Sequence, residues 1–202
     1  DALKYLTDLK DNGIIKNIGL TNFDTERLQI MMDADLPIVS NQIQYSIIDR
    51  RPEVKMIPFC QKQGISLLAY GSLCGGLMSD RYFGREKPSI GELDTLSLRK
   101  YDQMIEAWGG WNLFQELLSN LNTIAQKYNV SIANIATRYI LDSPTVAGVI
   151  IGARLGIVDH RVSNEQVFNL RLERTDFDAI DSVCKKSNNL FETIGDCGDE
   201  YR

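Results

Sequence analysis

Short apolar runs alternate with amphipathic stretches along the first third of the chain. The runs IIKNIGL (14–20), PIVSNQIQY (37–45) and ISLLAYG (65–71) have the composition of buried strands. Between them, TERLQIMMDAD (25–35) and PEVKMIPFCQKQG (52–64) place apolar residues at helical spacing. This β-α-β-α-β order predicts parallel strands joined by right-handed helical crossovers.

The rest of the chain continues the alternation after one interruption. The predicted segments are a polar loop insertion at 72–93, helices over 94–142, a strand in VAGVIIG (146–152), and helices near 157–169 and 175–187. The opening stretch DALKYLTDLKDNG predicts a helix that ends at Gly13. We interpret 1–202 as a single domain with a tail at 188–202.

Two architectures fit four parallel strands with helical crossovers. A doubly wound dinucleotide fold would carry GxGxxG after its first strand, but no such motif occurs, and the glycines at 71, 75 and 76 have the wrong spacing. Four strands and their helices instead amount to half of an eight-stranded barrel. We therefore predict an α/β fold of the parallel (β/α)8 TIM-barrel type.

Hydrogen-bonding and aromatic residues follow the predicted strands at their carboxyl ends, where the active sites of such barrels lie. They are Thr21, Asn22 and Phe23; Asn41, Gln42 and Gln44; Tyr70, Gly71 and Ser72; and Gly152, Ala153 and Arg154. Each strand delivers amides, an aromatic ring or a cation to the same rim. The pattern favours a binding site over a purely structural role.

Composition narrows the class of function. A formal net charge of −5 opposes nucleic-acid or anionic-membrane binding, and the apolar runs are too short to cross a bilayer. The single histidine and the four scattered cysteines at 60, 74, 184 and 197 argue against a metal site or a disulfide framework. These features predict a soluble intracellular protein, cytoplasmic or organellar.

The linked motifs resemble the aldo-keto reductase family. GIIKNIGLTNF is similar to the family's GKVRxIGVSNF, NQIQYS to its glutamine motif, AYGSLCGGL to AYSPLxxGLL, and VIIGAR followed by SNE to its last strand and adenine-contacting helix. The resemblance runs in register from Asp1 to about Lys186 and implies that the chain covers roughly strands 5 to 8 and the C-terminal helices. Because the chain opens with Asp1 inside or just before a helix, we expect a fragment or a processed product.

The resemblance implies a nicotinamide cofactor held at the strand ends. Thr21 and Asn22 stand where the family's Ser-Asn pair holds the carboxamide, and Gln42 stands where a glutamine does the same. Tyr70 stands where an aromatic ring stacks on the nicotinamide. The resemblance places Gly71, Ser72 and Leu73 beside the pyrophosphate.

The end of VIIGAR corresponds to the part of the family site that meets the 2′-phosphate of NADP. Gly152, Ala153 and Arg154 fall there, and guanidinium binds phosphate bidentately. The chain departs from the family pattern beyond this point, because Asn164 follows Arg154 by ten residues and His160 or Arg161 stands where the middle polar residue belongs. The implied cofactor is NADP(H).

The family's catalytic Asp, Tyr, Lys and His lie on its first four strands, which have no counterpart here. We therefore expect no catalytic residue in this chain and a tetrad upstream of it. The implied activity is NADPH-dependent reduction of an aldehyde or ketone, and the alternative is a catalytically inactive binding or interaction module. The edges of the first and last strands would invite self-association.

Structural interpretations of the same residues stay open. Thr21 and Asn22 fit a cap before the helix DTERLQ, with Asp24 or Thr25 as competing caps. Gln42 fits a buried amide, Tyr70 a core aromatic residue, and Arg154 a solvated surface residue. Their convergence on one rim favours the functional interpretation.

Overall fold

A computed structural model describes residues 2–153, 156 and 159–201 of the chain. The helices are α1 (Ala2–Asp11), α2 (Thr25–Asp33), α3 (Met56–Gln63), α4 (Leu96–Trp108), α5 (Gly110–Tyr128), α6 (Ile132–Leu141), α7 (Arg161–Glu165), α8 (Arg174–Cys184) and α9 (Leu190–Ile194). The strands are β1 (Ile18–Thr21), β2 (Ile38–Gln44), β3 (Ser66–Tyr70) and β4 (Val146–Ile150). Strands and helices alternate in the predicted order.

The strands form one parallel sheet in the order β1-β2-β3-β4, as chain order and right-handed crossovers require. Thr21 pairs with Gln42, Gln44 with Tyr70, and Tyr70 with Ile150, so the carboxyl ends of all four strands lie at one edge. This is the (β/α)-barrel arrangement, with β1 and β4 as the outer strands of the described sheet.

The two faces of the sheet are buried to different extents. Ile43, Leu67 and Ala69 are fully buried, and Asn41, which shares their face, contacts Met56 of α3. Leu68 and Gly148 lie on the opposite face and are part-buried, whereas Ile38 and Gln44, near the two ends of β2 on that face, are buried. The helices therefore cover one face, and the core lies between that face and the helix layer.

The helix ends follow local sequence signals, with some departures from the predicted bounds. Ser131 and Asn134 form a capping box at the start of α6, and Gly64 ends α3 in the left-handed conformation. The predicted helix 52–64 divides into a 3-10 turn at Arg51–Glu53, with Pro52 at its second position, and α3. The predicted helix near 157–169 is α7 followed by a 3-10 turn at Gln166–Asn169.

The predicted insertion at 72–93 packs on the body of the protein through Leu77, Met78 and Tyr82, which are buried. Trp111 of α5 lies edge-on to Tyr82 and is tilted against Phe114, so the tryptophan serves aromatic packing. The predicted tail contains α9 and a 3-10 turn at Asp199–Tyr201. Both segments are structured parts of the fold.

Large apolar side chains are exposed beside both outer strands. Tyr5 on α1 and Ile14 before β1 are 68% and 69% exposed, and Val162 and Phe168, in the helical segment after β4, are 78% and 79% exposed.

Among the described residues, no helix is both long and apolar enough to cross a membrane.

Candidate functional site

Three of the predicted residues meet where β1, β2 and β3 end. The Tyr70 hydroxyl donates to Asn22 Oδ1 at 2.8 Å, and the backbone N–H of Asn22 donates to the backbone carbonyl of Gln42 at 2.9 Å. Thr21 is exposed beside them and pairs with Gln42 in the sheet. The side chains of Tyr70 and Asn22 are therefore in direct contact at this rim, and Gln42 meets Asn22 through the backbone.

The backbone at Asn22 explains why its side chain faces Tyr70. Asn22 has a φ of 57°, a left-handed conformation that asparagine tolerates better than most residues. Asp24, two residues later, is the N-cap of α2 and accepts from the Arg27 amide at 2.7 Å. Because Asp24 supplies the cap, Asn22 is not the cap of α2.

The loop after β3 begins with a glycine that the structure requires. Gly71 has a φ of 73°, and a Cβ added there would lie 2.0 Å from the Tyr101 hydroxyl oxygen of α4. Ser72 is 1% exposed, and its Oγ has no hydrogen-bond partner among the described residues; Leu73 is half-buried. Tyr101 is the side chain that lies closest to Gly71. Ser72, the residue after Gly71, has a buried hydroxyl without a hydrogen-bond partner among the described residues.

The residues predicted for the adenosine end of the cofactor lie after β4. Gly152 and Ala153 are exposed, and Arg154 lies outside the described residues. His160 and Arg161 are exposed at the start of α7, and Asn164 is half-buried within it. The Arg161 guanidinium holds the Asp159 carboxylate bidentately at 3.0 and 2.7 Å, which lowers the pKa of Asp159.

A buried polar network behind the strand ends was missed by sequence reasoning. Gln44 Nε2 donates to Asp49 Oδ2 at 2.7 Å, and the same carboxylate takes two hydrogen bonds from Arg51 at 2.7 and 2.9 Å. Asp49 and Arg51 are 0% and 2% exposed. The signal was present in the letters DRR (49–51), which place three charges shortly after a predicted strand and directly after the apolar pair Ile47 and Ile48.

Two cavities in the described part of the chain have linings that do not include the rim residues. Cavities of 480 and 330 Å³ flank the ion pairs of Arg50 with Glu53 and Asp181. Tyr45 and Tyr139 line the smaller one, and burial raises the pKa of both hydroxyls above the ordinary value.

Other chemistries find little support in the described residues. They contain no group of three or more His, Cys, Asp or Glu side chains placed to hold a metal ion. All four cysteines are free and buried, and burial raises the pKa of Cys74, next to the rim, to about 12. Burial therefore keeps the Cys74 thiol neutral at physiological pH.

The geometry matches known proteins over most of the chain. Residues 1–185 match the Aldo/keto reductase family. Flagellar radial spoke protein 5 of Chlamydomonas reinhardtii is 32% identical over 131 residues, which are 64% of this chain and 25% of that protein.

Solved structures share the fold. A glycerol dehydrogenase from Gluconobacter oxydans superposes with a TM-score of 0.75 at 23% identity, over 91% of this chain and 53% of its own. An aldo/keto reductase from Klebsiella pneumoniae, solved with NADP and acetate, gives 0.62 at 18% identity, over 90% and 52%. The chain thus spans a quarter to about half of the length of these proteins. With the family matched over nearly all of its length, the chain belongs to the aldo-keto reductase family.

Proposed function

We propose that this chain is the cofactor-binding half of an NADP(H)-dependent oxidoreductase that reduces an aldehyde or ketone. The observation that supports this most directly is the cluster of Asn22, Gln42 and Tyr70 at one rim, with Tyr70 and Asn22 joined at 2.8 Å. Family membership over residues 1–185 supports the same reaction type.

The residues present suit a nicotinamide dinucleotide. Asn22 and Gln42 offer amide donors and acceptors that fix the rotation of a carboxamide, and the Tyr70 ring offers a face for stacking. Ser72 offers a buried hydroxyl without a partner among the described residues, next to a glycine with a positive φ. The bound cofactor would supply the hydride, while these groups orient it.

We assign the adenosine end of the cofactor to the segment after β4. Gly152, Ala153 and Arg154 would meet the 2′-phosphate, and His160, Arg161 and Asn164 would lie along the adenine. A guanidinium stays charged at every physiological pH and pairs with phosphate through two hydrogen bonds. This assignment predicts a preference for NADPH over NADH.

The proton for the carbonyl oxygen would come from outside this chain. Hydride delivery leaves an alkoxide, which requires an acid within hydrogen-bond reach. Tyr45 and Tyr139 do not meet this need, because burial raises the pKa of both and each hydroxyl is bonded to a carboxylate. We place the catalytic tetrad on strands that precede this sequence in the family fold.

The test is a fluorescence titration of the chain with NADPH and NADH. Arg154→Ala should weaken NADPH binding by about 1.5–3 kcal/mol, the value of a charge-assisted hydrogen bond, and leave NADH unaffected. Arg174→Ala, which removes the same charge from an exposed ion pair on α8, serves as the matched control. Equal NADPH affinities of the two variants and the parent would refute the assignment of Arg154.

A second candidate function is an interaction module without catalysis. The exposed Val162 and Phe168 after β4, and the similarity to a radial spoke protein, favour it. Oxidation of NADPH by the purified chain with a panel of aldehydes would be close to the rate without protein under both candidates. Saturable NADPH binding supports the oxidoreductase, and its absence supports the module.

A further inference from the structure

The carboxyl-terminal segment 195–200 has a defined conformation and contacts Arg51 and the first turn of α2. Asp196 and Cys197 are only 8% and 2% exposed. The Asp196 amide donates to Asp199 Oδ2 at 2.9 Å, and a Cβ on Gly195, where φ is 104°, would lie 2.5 Å from that oxygen. A glycine is therefore needed at 195 for this turn to close.

Arg51 anchors the segment from the 3-10 turn Arg51–Glu53, which follows β2. Its guanidinium is 1% exposed, holds Asp49 with two hydrogen bonds, and donates to the Asp196 carbonyl at 3.2 Å and to Glu200 Oε2 at 3.0 Å. Burial alone would lower the pKa of Arg51, but Asp49 and Glu200 hold it above the ordinary value. A charge with no exposed surface and three protein partners fixes the position of the segment.

The other end of this linkage reaches the loop that carries Asn22. Asp196 Oδ2 accepts a hydrogen bond from the Thr25 amide at 2.9 Å, in the first turn of α2. The first amides of a helix have no partner within the helix, and Asp24 already serves Arg27. The segment thus completes the cap of α2, three residues after Asn22.

We propose that Asp196, held in place by Arg51, is a positioning residue that fixes Asn22 at the nicotinamide end of the site; this inference rests on the proposed function. Asn22 has an uncommon backbone conformation, and its side chain must hold an amide within a few tenths of an ångström to orient it. Asn41 Nδ2 already holds the Phe23 carbonyl at 2.9 Å, and Asp24 caps the Arg27 amide, so Asp196 adds a third contact to the segment that follows Asn22. Asp196 holds the point at which this loop enters α2, through the Thr25 amide.

The test compares two ligands that divide the cofactor. NADPH reaches the whole site, whereas 2′,5′-ADP carries only the adenosine and 2′-phosphate parts. Asp196→Ala should weaken NADPH binding about tenfold, equivalent to about 1.4 kcal/mol, and leave 2′,5′-ADP binding unchanged. Asp196→Asn, which keeps an oxygen to accept from the Thr25 amide, should restore most of the affinity. Asp178→Ala, on the exposed face of α8, is the matched control.

Hydrogen exchange without ligand checks the linkage by itself. The Thr25 amide should exchange faster in Asp196→Ala and in Arg51→Met than in the parent, and remain slow in Asp178→Ala. Unchanged NADPH affinity in Asp196→Ala, or an equal loss for both ligands, overturns the positioning role. A parent chain that binds neither ligand overturns the proposed function, and the inference with it.

Discussion

At the scale of single residues, the Tyr70–Asn22 hydrogen bond is the contact that defines the rim. Tyr70→Phe removes the hydroxyl that lies 2.8 Å from Asn22 Oδ1 and keeps the ring. The free energy of unfolding should fall by about 0.5–1.5 kcal/mol, the net value of such a bond.

A double-mutant cycle isolates this bond. Asn22→Gly removes the side chain and tolerates the φ of 57°. Urea denaturation of both single variants and the double variant should give a coupling energy of about 1 kcal/mol. Strictly additive losses would show that the two side chains do not interact.

The residue types at the rim were readable from sequence, but their partners were not. Thr21, Asn22, Gln42 and Tyr70 follow apolar runs, so their place at strand ends could be predicted. One partner of Arg51 is Glu200, 149 positions along the chain, and spacing carries no information about such a pair. The acidic tail therefore had no assigned role until the fold brought it to Arg51.

At the scale of elements, the contact between β3 and α4 depends on Gly71. Gly71→Ala should lower the free energy of unfolding through two effects, the strain of alanine at φ 73° and the 2.0 Å approach to Tyr101. Gly64 has a similar φ of 71°, but a Cβ added there has nothing within 4 Å. Gly64→Ala should therefore introduce backbone strain without a steric clash.

Urea denaturation should show a larger loss for Gly71→Ala than for Gly64→Ala, by about 1 kcal/mol or more, since overpacking adds to the strain. The difference between the two variants measures the fit of α4 on the end of β3. Equal losses would mean that Tyr101 moves aside at little cost.

The existence and order of the elements were predictable, while their ends were less so. Periodicity located all four strands, because buried parallel strands are nearly continuous apolar runs. The helix predicted over 52–64 broke at Arg51–Glu53, where Arg51 turns inward to Asp49. Asp49 and Arg51 are only two positions apart, but the spacing of apolar residues does not reveal that their charges pair in the interior.

At the scale of the whole molecule, the outer strands of the sheet and the exposed apolar residues beside them predict that copies of the chain associate with one another. β1 and β4 are outer strands of the described sheet, and Val162 and Phe168 are exposed after β4. We propose that the isolated chain self-associates through these edges. Light scattering after size exclusion should show a mass above that of one chain, reduced in Val162→Ser/Phe168→Ser.

Leu96→Ser is the control for this change, because Leu96 is 84% exposed at the start of α4, on an element other than those flanking β1 and β4. It should leave the mass unchanged. A single-chain mass at all concentrations would contradict association through the strand edges.

Hydrogen exchange of the chain with and without NADPH tests the location of the cofactor site most directly. Binding at the strand ends should slow exchange in peptides covering 19–24, 41–45, 69–73 and 150–164, and nowhere else to a comparable degree. Peptides around the cavities flanking Arg50 and Asp181 should be unaffected. Protection confined to those cavities, or no protection at saturating NADPH, would contradict the assignment of this rim as the cofactor site.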